Sequence, residues 1–187
     1  MQGIIFTALS DMVIEKLGMA VWDQLLDDAD LPSQGAYTSG GRYDDAELLT
    51  LVGMLSERTG IAAPDLVRSF GEYLFAKLYA SLPDSIRGSA NLRQFLLAIE
   101  NTIHKEVKRI YPDSYLPSFQ YDDSNTKQLT MHYRSKRKLC FAAEGLIAGA
   151  AAQFKESIRI EHPVCMHHGA DHCCFVVHFL DKADGND

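Results

Sequence analysis

No run of about eighteen apolar residues occurs in the sequence, so nothing in it reads as a membrane span. A leader is missing too: "MQGIIFTALSDMVIEKLG" lacks a basic flank and a small-residue cleavage site, and acids interrupt it early. Positive charge is in short supply. With 18 Lys and Arg against 25 Asp and Glu, the net charge of −7 leaves no basic stripe for a nucleic acid, and the cluster "YRSKRK" is too short and isolated to supply one. H-E-x-x-H is absent, and no P-C-x-x-C follows the single H-x-E at 104–106, which removes the usual signatures of a zinc protease and a zinc deaminase. Internal repeats and low-complexity tracts are absent as well. Cysteines number four. In the cytoplasmic, reducing setting expected of a chain without a leader, they read as metal ligands or redox thiols rather than disulfides.

What is there is ordinary globular material: 47% hydrophobic and 23% charged residues over 187 positions. A chain of this size buries roughly 70% of its unfolded surface and folds without staples. The pattern divides near residue 118. Before it, apolar residues recur at helical spacing: Ile4, Ile5, Leu9, Met12, Val13 and Leu17 form one stripe ended by Gly18. A short helix around 19–29 carries the single tryptophan, Trp22. "DDAELLTLVGMLSERTG" opens with acids and closes at Gly60, and "APDLVRSFGEYLFAKLYASL" starts with Pro64 in its first turn. "NLRQFLLAIENTIHKEVKRI" reads as one further helix, about 90–109, with Leu92, Phe95, Leu96, Ile99 and Ile103 on its stripe. After "YPDSYLPSF" the period becomes two. "SFQYDD" and "QLTMHYRS" read as paired strands, "FAAEGLIAGAAAQF" as a small-residue helix, and "SIRIEHPV" with "CCFVVHFL" as a last hairpin; the tail "DKADGND" should fray. The expected architecture is α+β: a helical lobe over about 1–82, and a small antiparallel sheet with one helix over about 118–182.

Three groups could carry chemistry. Tyr133, Ser135 and Arg137 alternate, so on a strand they share one face over roughly 13 Å. Two hydroxyls and a guanidinium fork suit a ligand with one or two carboxylates, although a strand with a solvated polar face gives the same spacing. Cys140, His162, Cys165 and Cys173 could make a closed tetrahedral zinc site; buried free thiols with surface histidines are the alternative, and His167, His168, His172 and Cys174 are spare ligands. His104 lies at the border of the apolar stripe of its helix, where a histidine is more often structural than ligating.

Taken together, these residues resemble the heme nitric oxide/oxygen binding (H-NOX) family, in its stand-alone bacterial form. The resemblance rests on "MQGIIF", "VGMLSERTGI", the histidine of "IENTIHKEV", the proline of "YLPSF", and "YRSKRKL". It implies a heme b between the two lobes, with His104 as the iron's proximal ligand and Tyr133, Ser135 and Arg137 holding the propionates. Pro117 would lie against the porphyrin and distort it, one of a protein's levers on heme electronics. Ile5, Leu9, Phe70, Leu74, Phe75 and Leu146 could supply apolar walls. Oxygen-binding members place a tyrosine on the distal side; the matching position here is Ala142, which points to nitric oxide over oxygen. Some bacterial members also carry a zinc site matching Cys140, His162, Cys165 and Cys173, with Cys174 leaving the third thiolate ambiguous.

The implied function is that of a non-enzymatic nitric oxide sensor. Gas binding would weaken the iron–histidine bond, let the lobes shift, and regulate a separate histidine kinase or cyclic-di-GMP enzyme. Two other readings stay open: a zinc-stabilised small-molecule-binding module similar to the 4VR domain without heme, and a zinc hydrolase. A four-ligand zinc site would leave the latter no position for water.

Overall fold

Acids, prolines and glycines place the helix ends where their chemistry dictates. Helix α1 (Gly3–Leu17) stops at Gly18, and α2 (Met19–Asp28) follows directly. In α3 (Asp45–Thr59) the Asp44 side chain accepts a hydrogen bond from the Ala46 amide at 2.9 Å, and Asp45 and Glu47 add negative charge in the first turn, where the helix dipole favours it. Helix α4 (Ala63–Ala80) has its proline in the first turn, where no amide donor is lost. Phe6, Leu9, Val13, Trp22, Leu25, Leu51 and Leu55 close a helical core to which α4 contributes Phe70 and Leu74.

A second core lies under the sheet. The antiparallel strands β1 (Ser118–Asp122), β2 (Gln128–Arg134), β3 (Ile158–Val164) and β4 (Cys173–Phe179) are ordered β1-β2-β4-β3. On β2, Leu129, Met131 and Tyr133 are buried, the alternation the sequence anticipates for a sheet with one covered face. Pro163 sits on β3, an edge strand whose register shifts between Glu161 and Val164, so its missing amide breaks no central ladder. Helix α8 (Cys140–Phe154), a short helix α5 (Asp84–Arg87) and α6 (Leu92–Ala98) cover the inner face through Ile147, Ile86, Leu92, Phe95 and Leu96. The α+β reading therefore holds. The structure describes residues 1–180 of the computed structural model, without the Ser85 side chain; the tail "DKADGND" and the last two residues of the expected sheet lobe lie outside the described residues.

Helix α4 joins the two cores, since Phe75 belongs to the sheet core while Phe70 and Leu74 belong to the helical one. It crosses α8 at backbone contact: a Cβ at Gly145 would lie 2.0 Å from the Arg68 carbonyl oxygen, and one at Gly71 2.4 Å from that of Ala142. Only glycine fits at this crossing.

Two expectations are corrected. The helix expected over about 90–109 runs without a break from Leu92 to Ile110 but is not uniformly α: α6 widens into a π turn at Ile99–Ile103, and α7 (His104–Ile110) resumes at the histidine, whose amide donates to the Ile99 carbonyl. One extra residue in a turn rotates everything after it by about 100°, which a fixed 3.6-residue period cannot register. The second concerns Arg137. Strand β2 ends at Arg134, and Ser135–Lys138 form a turn in which the Lys138 amide donates to the Ser135 carbonyl at 3.2 Å and Lys138 takes a φ of 50°. Arg137 is thus carried by a turn and not by the strand face shared with Tyr133.

Candidate functional site

Between the two cores lies a cavity of about 810 Å³, within the range of small-molecule and cofactor sites. Its lining includes Ile5 from α1; Phe70, Leu74 and Phe75 from α4; Ala142 and Leu146 from α8; and His104, Pro117, Tyr133, Ser135 and Arg137. Leu9 is the exception among the expected wall residues. It is buried in the helical core and does not reach the cavity, lying one turn, about 6 Å, farther along α1 than Ile5.

His104 is held from behind. Its Nδ1 lies 3.2 Å from Glu100 Oε2, and the same oxygen accepts the Phe119 amide of β1 at 3.0 Å. A carboxylate at Nδ1 fixes the proton there, which leaves Nε2 as the bare nitrogen, free to ligate, on a ring that lines the cavity. Burial lowers the imidazole's affinity for a second proton, against the raising effect of Glu100, so the neutral ring is favoured.

Elsewhere in the lining, Tyr133 is 2% exposed, and burial pushes its phenol up to about 12 despite the Ser135 hydroxyl beside it, so it stays a neutral donor. Ser135 Oγ accepts the Arg137 amide at 3.2 Å. Arg137 donates through Nε to Asp45 and through Nη1 to the Tyr115 carbonyl at 2.7 Å, and its guanidinium stacks 4.9 Å from the Tyr115 ring. Burial pushes the Asp45 carboxyl up, but Arg137 and the Met1 ammonium, 2.9 Å away, hold it below the usual range. The cavity thus combines a ligating nitrogen, apolar walls and a cationic fork at its rim. That suits a flat apolar cofactor with a metal at its centre and anionic edges.

A second constellation lies beyond α8. Cys140 begins that helix, His162 is on β3, Cys165 follows β3 and Cys173 begins β4; their ligand atoms lie within 4.8 Å of one another. Sulfurs 2.3 Å from a tetrahedral zinc would stand about 3.8 Å apart, and Cys140 Sγ lies 3.8 Å from Cys165 Sγ. Burial, with the neighbouring Cys173 and Cys165 thiols, drives the Cys140 thiol well above the ordinary range, as expected of sulfurs crowded without a cation. His162 Nε2 is buried with no hydrogen-bond partner while Nδ1 meets Glu144 Oε1. An orphaned imidazole nitrogen among three thiols fits a Cys₃His zinc site, closed to substrate. Cys174 belongs to the opposite face of β4, because successive strand residues alternate. The spare histidines are engaged elsewhere or exposed: His167 Nε2 with the Lys138 carbonyl at 2.8 Å, His172 Nδ1 with Asp171 at 2.6 Å, and His168 at the surface.

Sequence reasoning passed over Glu100, Asp45, Tyr115 and Glu144. Two of them left a trace. Glu100 stands one helical turn before the histidine, and Glu144 is the lone charged residue of α8.

A family model described as haem-NO-binding matches residues 2–162. An H-NOX protein of Shewanella oneidensis in the Fe(II)NO ligation state is 35% identical, covering 97% of this chain and 100% of that one with a TM-score of 0.91. The Fe(II) unliganded H-NOX protein of K. algicida is 32% identical over 100% of both chains, with a TM-score of 0.90. An IWP-051-bound H-NOX of Shewanella woodyi in the Fe(II)CO state is 34% identical, covering 100% of this chain and 98% of that one with a TM-score of 0.84. The matched segment contains the whole histidine-to-arginine wall of the cavity, and the chain belongs to the haem-NO-binding (H-NOX) family of heme-based gas sensors.

Proposed function

We propose that the cavity holds a heme b on His104 Nε2 and that the protein senses nitric oxide for a separate signalling partner. One observation carries this reading: a neutral histidine, fixed by Glu100 so that only Nε2 is available, lines a cavity of about 810 Å³ with mostly apolar walls. Heme held there would supply a ferrous iron able to bind a diatomic gas. Tyr133 and Ser135 donate to the propionates and Arg137 supplies the charge, while Asp45 and Tyr115 keep the guanidinium in place. Pro117, a rigid ring in the same lining, limits how flat the cofactor can lie.

The choice of gas follows from α4 and α8. Their contribution to the lining is Val67, Phe70, Leu74, Phe75, Leu78 and Tyr79 from one, and Ala142, Ala143, Leu146, Ile147 and Ala150 from the other. The one hydroxyl in this set, that of Tyr79, donates to the Arg87 carbonyl at 2.9 Å. Oxygen needs a hydrogen-bond donor far more than nitric oxide does, so this wall favours nitric oxide. The Fe(II)NO and Fe(II)CO states of the Shewanella relatives support the same reading.

Signalling needs an element with two arrangements that differ in their affinity for a partner. The π turn and α7 contain no fully buried residue: Ile99 and Ile103 rest partly covered against the sheet core, and Glu100 ties His104 to the Phe119 amide, so the segment is lightly held. Loosening His104 frees that segment to change shape, and a histidine kinase or cyclic-di-GMP enzyme is the partner class we assign to read it. No helix among the described residues is long and apolar enough to cross a membrane. The Cys140, His162, Cys165 and Cys173 group holds zinc as a closed structural site. In the test of the cofactor assignment, His104→Gly loses heme and regains it with added imidazole. Normal heme content without imidazole would refute the ligand.

A further inference from the structure

The metal group is not an isolated staple. Glu144, 7% exposed, divides its two oxygens: Oε1 meets His162 Nδ1 and Oε2 accepts Arg68 Nε at 2.7 Å. Arg68 stands on α4, also pairs with Asp65 at 2.6 Å, and lies 5.5 Å over the Phe141 ring. Phe141 in turn meets the His162 ring edge-on at 6.1 Å. The chain of contacts runs beside the point where the Arg68 carbonyl touches Gly145, the tightest crossing of α4 and α8. Within a few ångströms, then, the metal's only nitrogen ligand is tied by a buried carboxylate to the helix that carries Phe70, Leu74 and Phe75 into the cavity wall.

From this geometry we propose that Glu144 and Arg68 are positioning residues of the metal site, and that through them occupation of the site fastens α4 to α8. The proposal rests on the zinc reading above. Its physics is that of a carboxylate behind a ligating imidazole, which fixes the tautomer and raises the basicity of the nitrogen facing the metal. Charge gives Arg68 its part. Three thiolates on a divalent cation leave one net negative charge, Glu144 adds a second, and the Arg68 guanidinium cancels one of them. When the metal leaves, the thiols take up protons, His162 Nε2 loses its partner, and the incentive that holds Glu144 and Arg68 in line weakens.

The experiment uses the heme-loaded, full-length protein and zinc itself, titrated against a chromophoric chelator, for the unmodified chain, Glu144→Gln, Glu144→Asp, Arg68→Met and Arg68→Lys. Carboxylates behind metal-bound histidines are worth about 10–100-fold in affinity. Glu144→Gln should therefore weaken zinc by about that factor and Arg68→Met by less, with partial recovery in Glu144→Asp and Arg68→Lys. Cobalt substitution should keep the tetrahedral thiolate spectrum while its imidazole contribution shifts in Glu144→Gln, a change that mere loss of packing would not produce. Hydrogen exchange supplies the second arm. Removing zinc should speed exchange of the α4 amides around Arg68 in the unmodified chain and add little in Arg68→Met. Zinc affinity within twofold of the unmodified chain in folded Glu144→Gln overturns the positioning role. Equal acceleration of α4 exchange in the unmodified chain and Arg68→Met overturns the fastening. If the unmodified chain itself takes up no zinc, the zinc reading fails and the proposal falls with it.

Discussion

Two histidines in this protein are built alike and placed differently. His104 and His162 each present Nδ1 to a carboxylate, Glu100 and Glu144, and each keeps Nε2 for something else. Around His162 three sulfurs fill the remaining directions within 4.8 Å, so a metal bound there has no free position. Around His104 there is a cavity of about 810 Å³, so a metal held there would leave room for an exogenous ligand. The carboxylate–imidazole pair makes a good ligand in either place. What surrounds it decides whether a bound metal would have a free position.

The sharpest way to break this comparison is to remove one histidine at a time. His104→Gly should lose heme by tenfold or more while zinc stays at one per chain; His162→Ala should lose zinc while heme stays. Pyridine hemochromogen absorbance and metal analysis on the same samples check both. Loss of both cofactors in either variant would mean that the two sites are one folding unit. Next in size is zinc removal. At zinc a hundredfold above its dissociation constant, binding adds about 2.7 kcal/mol of stability. Stripping it should therefore lower Tm by roughly 5–10 °C for a chain of this size, as calorimetry on the chelator-treated protein would show. A smaller effect is expected of Ala142→Tyr, which brings a donor into the apolar wall and should make oxygen binding detectable by absorption in air, with nitric oxide binding retained.

The smallest effect concerns pH. Asp45 is held below its usual range, so the contribution of its pairing with Arg137 is complete above the unfolded value of 3.8 and is lost as pH falls through the lower folded value. The part of heme retention that rests on this pair should weaken in that acid window, and Asp45→Asn should remove this part of the pH dependence, as heme transfer to apomyoglobin across a pH series would report. The partly exposed pair contributes modestly, so the change should be a few-fold.

Much of this layout was legible in the sequence because it is local. Pro64, Gly60 and the acids at the start of α3 mark helix ends by their own backbone chemistry, and the period-two stretches at 118–122 and 128–134 became the strands they suggest. The cysteine and histidine spacing around residues 162–173 located a metal group, although only the alternation of β4 separates Cys173 from Cys174. What escaped was decided by tertiary contact. The π turn before His104 inserts a residue into a helical repeat and leaves composition unchanged. Glu100 and Glu144 look like surface charges until a strand amide and an arginine from another helix meet them. Arg137 keeps the alternation of a strand, yet β2 ends at Arg134 and the turn closed by Lys138 carries the arginine instead. Leu9 shares the hydrophobic stripe of Ile5, and only the extent of the cavity distinguishes them.

The central claim is that His104 anchors a ferrous heme whose open side takes nitric oxide and refuses oxygen. The most direct measurement is one absorption series on one sample: protein reduced without oxygen, then opened to air, then reduced again and given nitric oxide. The account predicts a ferrous spectrum that acquires no stable oxygen complex in air and changes at once with nitric oxide. A stable oxygen complex, or a protein that carries no heme when grown with heme in excess, would contradict it.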